Sequence, residues 1–184
     1  DPGTGDGVAV TFNNAAGSKI DYFLRARAGY DITVDADAGS ATATMLLEME
    51  NLAPPEGEPY YVIGNMVDLP TGSNRTWTSV YTRLPVDEVR LDGEVIPTQS
   101  GTEAGYFTTS MLVTTAPGQI VALEFDLSGP VDLRNGYQVV VHSPPTVALT
   151  PVSAQVTVRG LNDAVATGSV TTEIGSARLD VALP

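Results

Sequence analysis

Between Ile20 and Val34 nearly every second residue is apolar or aromatic: Ile20, Tyr22, Leu24, Ala26, Ala28, Tyr30, Ile32 and Val34. Asp21, Arg25, Arg27, Gly29, Asp31 and Thr33 stand between them, with Phe23 the exception. Successive side chains of a strand point to opposite faces, so this period of two describes a ribbon with one dry and one wet face. The pattern predicts a long strand bent near Gly29. A helix over residues 18–28 is the rival, because Ile20, Phe23, Leu24 and Ala28 also fit a helical stripe. After the turn Asp37-Ala38-Gly39-Ser40, the residues Ala41, Ala43, Met45, Leu47 and Met49 alternate again. Helix also fits residues 45–52, and the turn with Thr42 and Thr44 favours strand.

The rest of the chain repeats this theme in shorter pieces. Val8–Phe12 reads as a short edge strand after a turn-rich entry at residues 1–7. Tyr60–Ile63 and Thr76–Leu84 read as strands, with a proline-rich loop at 53–59. Val86–Leu91 and Glu94–Pro97 flank Asp92-Gly93, a strong hairpin signal. Tyr106–Val113, Ile120–Leu127, Gly136–His142, Ala154–Arg159, Val165–Thr171 and Ala177–Leu183 follow. Short strands separated by Gly/Pro turns predict an all-β, antiparallel sandwich of immunoglobulin or fibronectin type, with a small additional C-terminal β unit. The proline-rich stretch 144–151 divides the chain into 1–143 and 144–184. The second part is either a separate unit or a continuation of the same sandwich.

Composition narrows the function classes. Twenty-two acidic residues against nine basic give a net charge of −13. That balance opposes nucleic acid, whose binding rests on clustered Lys and Arg, and it opposes docking on an anionic bilayer. The chain has no cysteine, which excludes disulfides, Cys-based metal centres and thiol nucleophiles. Charged residues make up 17%, below the usual ~25%, while 18 Gly and 13 Pro disfavour helix-rich folds. One lysine, Lys19, against eight arginines suggests a GC-rich genome. No apolar run is long enough to span a membrane. The chain starts at Asp1 without Met and reads as part of a longer, exported protein, anchored upstream and monomeric.

Candidate chemistry is sparse. His142 is the only histidine and falls at a strand end. Asp35 and Asp37, in a D-x-D-x-G loop, are candidate calcium ligands, but Leu46 occupies the place of the downstream glutamate such a loop needs. Glu48 with Glu50, and Asp92 with Glu94, are neighbours on exposed faces rather than carboxylates set across a cleft. Trp77, Tyr81, Tyr60 and Tyr61 are candidate ligand-binding residues. Such rings are, however, the usual filling of a β-sandwich core, the stronger of the two readings. Asn74-Arg75-Thr76 matches a glycosylation sequon. No cofactor is expected, and no enzyme activity.

Two groups of residues add a resemblance. NNAAGSKIDYFLRARAGYDITV (13–34), with YVIGN (61–65), SNRTWTSVYT (73–82) and VRLDGEVI (89–96), resembles the C-terminal part of an actinobacterial family labelled domain of unknown function four-zero-one-two. The resemblance covers residues 13–96 best. It implies a membrane-anchored protein with a large extracytoplasmic portion, of a kind sometimes associated with surface-polysaccharide genes. It carries over no catalytic residue. The expectation is a non-catalytic interaction or spacer module of a cell-envelope protein, with other envelope proteins or polysaccharide as partners. The alternative is a carbohydrate-binding module using Trp77 and the tyrosines.

Overall fold

The computed structural model describes residues 5–160 and 164–184. Its strands are β1 (Asp6–Asn14), β2 (Leu24–Asp35), β3 (Ser40–Asn51), β4 (Asn74–Thr82), β5 (Val86–Leu91), β6 (Glu94–Val95) and β7 (Gln99–Glu103). They continue as β8 (Tyr106–Thr115), β9 (Ile120–Pro130), β10 (Tyr137–His142), β11 (Val152–Arg159), β12 (Val165–Thr172) and β13 (Ser176–Val181). One sheet has the order β13-β10-β1-β4-β8-β7 and the other β12-β11-β2-β3-β9-β5-β6. The protein is thus nearly all β, as the alternation requires.

Alternation also builds the core. In β2, Leu24, Ala26, Ala28, Tyr30, Ile32 and Val34 are all buried, and the residues between them face water. Their partners in β3 include Met45 opposite Tyr30 and Leu47 opposite Ala28. Val8 and Val10 of β1, Val80 of β4 and Val139 and Val141 of β10 face them from the other sheet, in one continuous apolar cluster. Residues 144–184 join both sheets: β11 and β12 extend the larger, and β13 the smaller.

Several expectations are corrected. Two strand pairs are parallel, β1 with β10 and β2 with β11, so the sheets are mixed rather than antiparallel. Alternation is blind to strand direction. β1 lies between β10 and β4 over its first residues, Asp6–Ala9, and only from Val10 to Asn14, where it pairs with β4 alone, does it run as the expected edge strand. It begins at Asp6, within the expected entry segment, whose residues 1–4 lie outside the described residues. Ile20–Phe23 is a 3-10 turn, so the long strand starts only at Leu24 and passes Gly29 unbroken. Tyr60–Ile63 is one helical turn, α1, instead of a strand. Its reason is local. Gly64 closes the turn by donating to the Tyr60 carbonyl at 2.6 Å, and a Cβ on Gly64 would sit 2.3 Å from that oxygen. β7 has no counterpart in the expected strands, because all five of its residues are polar or glycine and exposed.

The Asp92-Gly93 hairpin is present. Both residues have positive φ, 49° and 88°, as a type I′ turn demands.

Candidate functional site

The outer face of the six-stranded sheet carries a trough along β1. Gly7, Ala9, Thr11 and Asn13 are the residues of β1 that alternate with its inward-facing Val8 and Val10. The first two are small, so the strand lies low between its neighbours. On one side Tyr81 of β4 stands opposite Ala9. Tyr106 of β8 leans over Gly7: a Cβ there would meet its hydroxyl at 3.3 Å and its ring at 3.4 Å. On the other side His142 of β10 stands opposite Ala9, followed by Pro144 and Pro145. The trough has a volume of about 360 Å³.

Hydrogen bonds fix both walls. The Tyr81 hydroxyl donates to Glu103 Oε2 at 3.0 Å. Burial, then the Glu103 hydrogen bond and charge, push the Tyr81 phenol up. The Arg83 guanidinium stacks 4.3 Å from the Tyr106 ring centroid and donates to the Gly105 carbonyl. Ser143 is buried, and its hydroxyl faces the carbonyls of Thr150 and Glu173, each at 2.8 Å. The His142 wall is therefore anchored from behind.

A larger groove, about 480 Å³, crosses the outer face of the seven-stranded sheet. Thr157, Thr33, Thr42 and Ser128 lie in register across four strands there. Asp126 is tied to Arg90 at 2.8 Å, and Asp87 accepts from Ser128 at 2.7 Å. These exposed hydroxyls and carboxylates are well hydrated, so covering them gains little. The trough over β1 is mostly apolar with a few convergent polar groups, the usual make-up of a binding site.

The expected site residues separate. Trp77 and Tyr81 are half-buried on the same outer face, Trp77 opposite Asn13 and Leu112, so neither fills the core. Tyr81 lines the trough. Tyr60 and Tyr61 sit on α1, about two-thirds exposed, and do not line it. Lys19 Nζ lies 5.9 Å from the Tyr61 ring centroid. Asp35 is engaged locally: its Oδ1 accepts from the amides of Asp37 and Ala38. Among the described residues no three His, Asp or Glu side chains gather as metal ligands. Glu48 is paired with Arg27. Asn74 of the sequon is fully buried, which leaves no room for a glycan.

Tyr106, Glu103 and Ala9 were not among the expected site residues. The period of two in β8 puts Tyr106 on the face of Thr108, and only the register places it over Gly7.

A second cluster is buried between the sheets. Asp6 Oδ2 accepts from Tyr30 at 3.0 Å and Tyr137 at 2.5 Å, and Oδ1 from the Gly7 amide at 2.7 Å. Burial pushes its carboxyl up, against the pull of those hydrogen bonds. Burial and the Asp6 charge raise both phenols in turn.

No family model matches the chain. No curated protein matches it either. Among solved structures it is similar to a Legionella pneumophila protein described as nutrient binding, at 10% identity and TM-score 0.42, over 80% of this chain and 55% of that one. It is similar to the M1 zinc metallopeptidase of Deinococcus radiodurans at 14% identity and TM-score 0.40, over 80% and 38%. Leukotriene A4 hydrolase of Saccharomyces cerevisiae follows at 8% and 0.43, over 86% and 29%. The chain spans about half or less of each of these structures. These findings correct the expectation of an envelope interaction or spacer module, and of its sugar-binding alternative: the similar structures are a protein described as nutrient binding, a zinc metallopeptidase and a leukotriene A4 hydrolase. At such identities and TM-scores the likeness transfers no site to this chain.

Proposed function

We propose that the chain is a non-catalytic binding domain that holds a short extended peptide in the trough over β1. The observation that carries this reading is the small-residue floor. Ala9 keeps a channel open between Tyr81 and Tyr106 on one side and His142 with Pro144 and Pro145 on the other. A ligand lying there covers apolar ring surface, which is the main favourable term in association. The non-catalytic part rests on the polar groups. His142 has Ser143 beside it in sequence, but that hydroxyl is directed at two main-chain carbonyls. The Tyr81 hydroxyl is directed at Glu103. A nucleophile would need a base within hydrogen-bond reach.

Selection from a phage-displayed random-peptide library tests the reading. Enriched peptides should bind the wild-type protein and lose about tenfold or more in affinity with Ala9→Arg, which fills the floor, and with Tyr81→Ala. Enriched binders indifferent to both substitutions would refute it.

A further inference from the structure

Resting on that reading, we infer that the peptide is held by the backbone of β1 itself: part of it adds as a strand beside Val10–Asn14, in the lane that β10 leaves empty. β10 pairs with β1 only from Asp6 to Ala9, and its last paired residue is His142. β4 lines the other side of β1 as far as Asn14. From Val10 to Asn14, about 17 Å at ~3.4 Å per residue, β1 therefore has a strand on one side only.

The register decides which groups face the empty lane. The Ala15 amide donates to the Arg75 carbonyl at 2.8 Å, one step beyond the Asn14–Thr76 pair. Hydrogen-bonded and non-hydrogen-bonded pairs alternate along an antiparallel ladder. Asn13 and Thr11 thus turn their amides and carbonyls to β4, and Phe12 and Val10 turn theirs away from it. The same alternation governs β10. The Ser143 amide donates to the Gly175 carbonyl, on the β13 side, so His142 faces β1 and the next residue to do so would be Pro144. Proline has no amide to offer, and the ladder stops there. The Val10 carbonyl and both backbone groups of Phe12 are left facing the lane.

The hollow beside them points to the occupant. The Val10 side chain is buried in the core, yet Val10 lines the hollow, so what it presents there is main chain. Unpaired main chain at a sheet edge is met best by another extended main chain, whose groups repeat at the same spacing. Pro144 and Pro145 bank the far side, which leaves room for a single free strand and bars the edge of a folded sheet, a second copy's included. Phe12 is half-buried against the core, so the peptide residue beside it gains by being apolar. Its two neighbours stand beside Thr11 and Asn13 on the outer face, where polar side chains stay hydrated. Beyond His142 the peptide rises over Ala9 toward Tyr81 and Tyr106.

Two measurements on the intact chain test this. The probe is the most enriched peptide of the library selection, labelled with fluorescein and titrated by anisotropy. Two further forms carry N-methyl groups on every second amide, one form for each phase. A ladder uses the amides of one phase, so one form should lose about tenfold or more in affinity and the other should stay within about threefold. The second measurement is amide hydrogen exchange by NMR. Saturating peptide should slow exchange at Phe12 about tenfold or more, and should leave Asn13, already turned to β4, within about twofold. Equal losses in both phases, no loss in either, or unchanged exchange at Phe12 overturns the inference. If that peptide still loses affinity with Ala9→Arg and Tyr81→Ala, the peptide-binding reading stands without the added strand. If it ignores those substitutions too, or if no peptide is enriched, both fall.

Discussion

Replacing Asp6 should loosen the seam between the two sheets. Its carboxylate joins Tyr30 of β2 to Tyr137 of β10, one tyrosine from each sheet, while its backbone starts β1. Asp6→Ala leaves two buried hydroxyls and the Gly7 amide without their acceptor. Each orphaned buried donor costs roughly 1–3 kcal/mol. Removing a carboxylate that was itself disfavoured by burial returns part of that loss. A net destabilisation of about 3 kcal/mol is expected, read by urea denaturation of wild type and variant under identical conditions. Tyr137→Phe alone should cost about 1.5–2 kcal/mol, as for a hydrogen bond to a charged group. The double variant should cost less than the sum by about 1 kcal/mol, because phenylalanine removes one orphan that alanine creates. The pH dependence has a definite sign. The folded carboxyl titrates above its ordinary value, so its contribution is fully present below the unfolded value and is lost as pH rises through the raised one. Wild type should therefore gain on Asp6→Asn as pH falls from neutral through that range. A loss below about 1 kcal/mol for Asp6→Ala, or strict additivity of the double variant, would refute the reasoning.

Two further outcomes are expected. Gly64→Ala forces a Cβ against the Tyr60 carbonyl and should cost about 2 kcal/mol, lowering Tm by roughly 4–8 °C in calorimetry. An unchanged Tm would mean that α1 relaxes without penalty. Arg134 holds the Asp132 carboxyl down at about 2, so its small contribution is present above the ordinary value and fades as pH falls toward that midpoint. A carbon-detected NMR titration reads the midpoint, and Arg134→Gln should restore it to the ordinary carboxylate range.

What was legible in the sequence follows from how each element is stabilised. β2 and β3 were legible as strands, against a helical rival at one end of each, because each has one buried and one wet face over twelve residues. α1 was not, since Tyr60, Tyr61, Val62 and Ile63 are good strand formers and four residues show no period. β7 gave no signal because an exposed edge strand needs no apolar face. Strand direction and sheet order were hidden for another reason. They depend on which distant segments meet, as Gly7 meets Tyr106, and the local pattern does not encode that. Of the trough, Tyr81 and His142 were visible as residues worth noting, but their common strand neighbour, Ala9, was too ordinary to notice. Asp6 was missed because its partners lie 24 and 131 residues away.

The parallel pairing of β1 with β10 has a consequence for the nascent chain. β1 finds its β10 neighbour only after the tyrosine 131 residues beyond Asp6 has been synthesised. At 5–20 residues per second that delay is on the order of ten seconds, during which one margin of β1 stays open. β2 waits similarly for β11. Such distant closure makes folding slow and leaves β1 and β2 open to wrong partners, so yield in a cell should depend on how well chaperones shield these two strands while translation finishes.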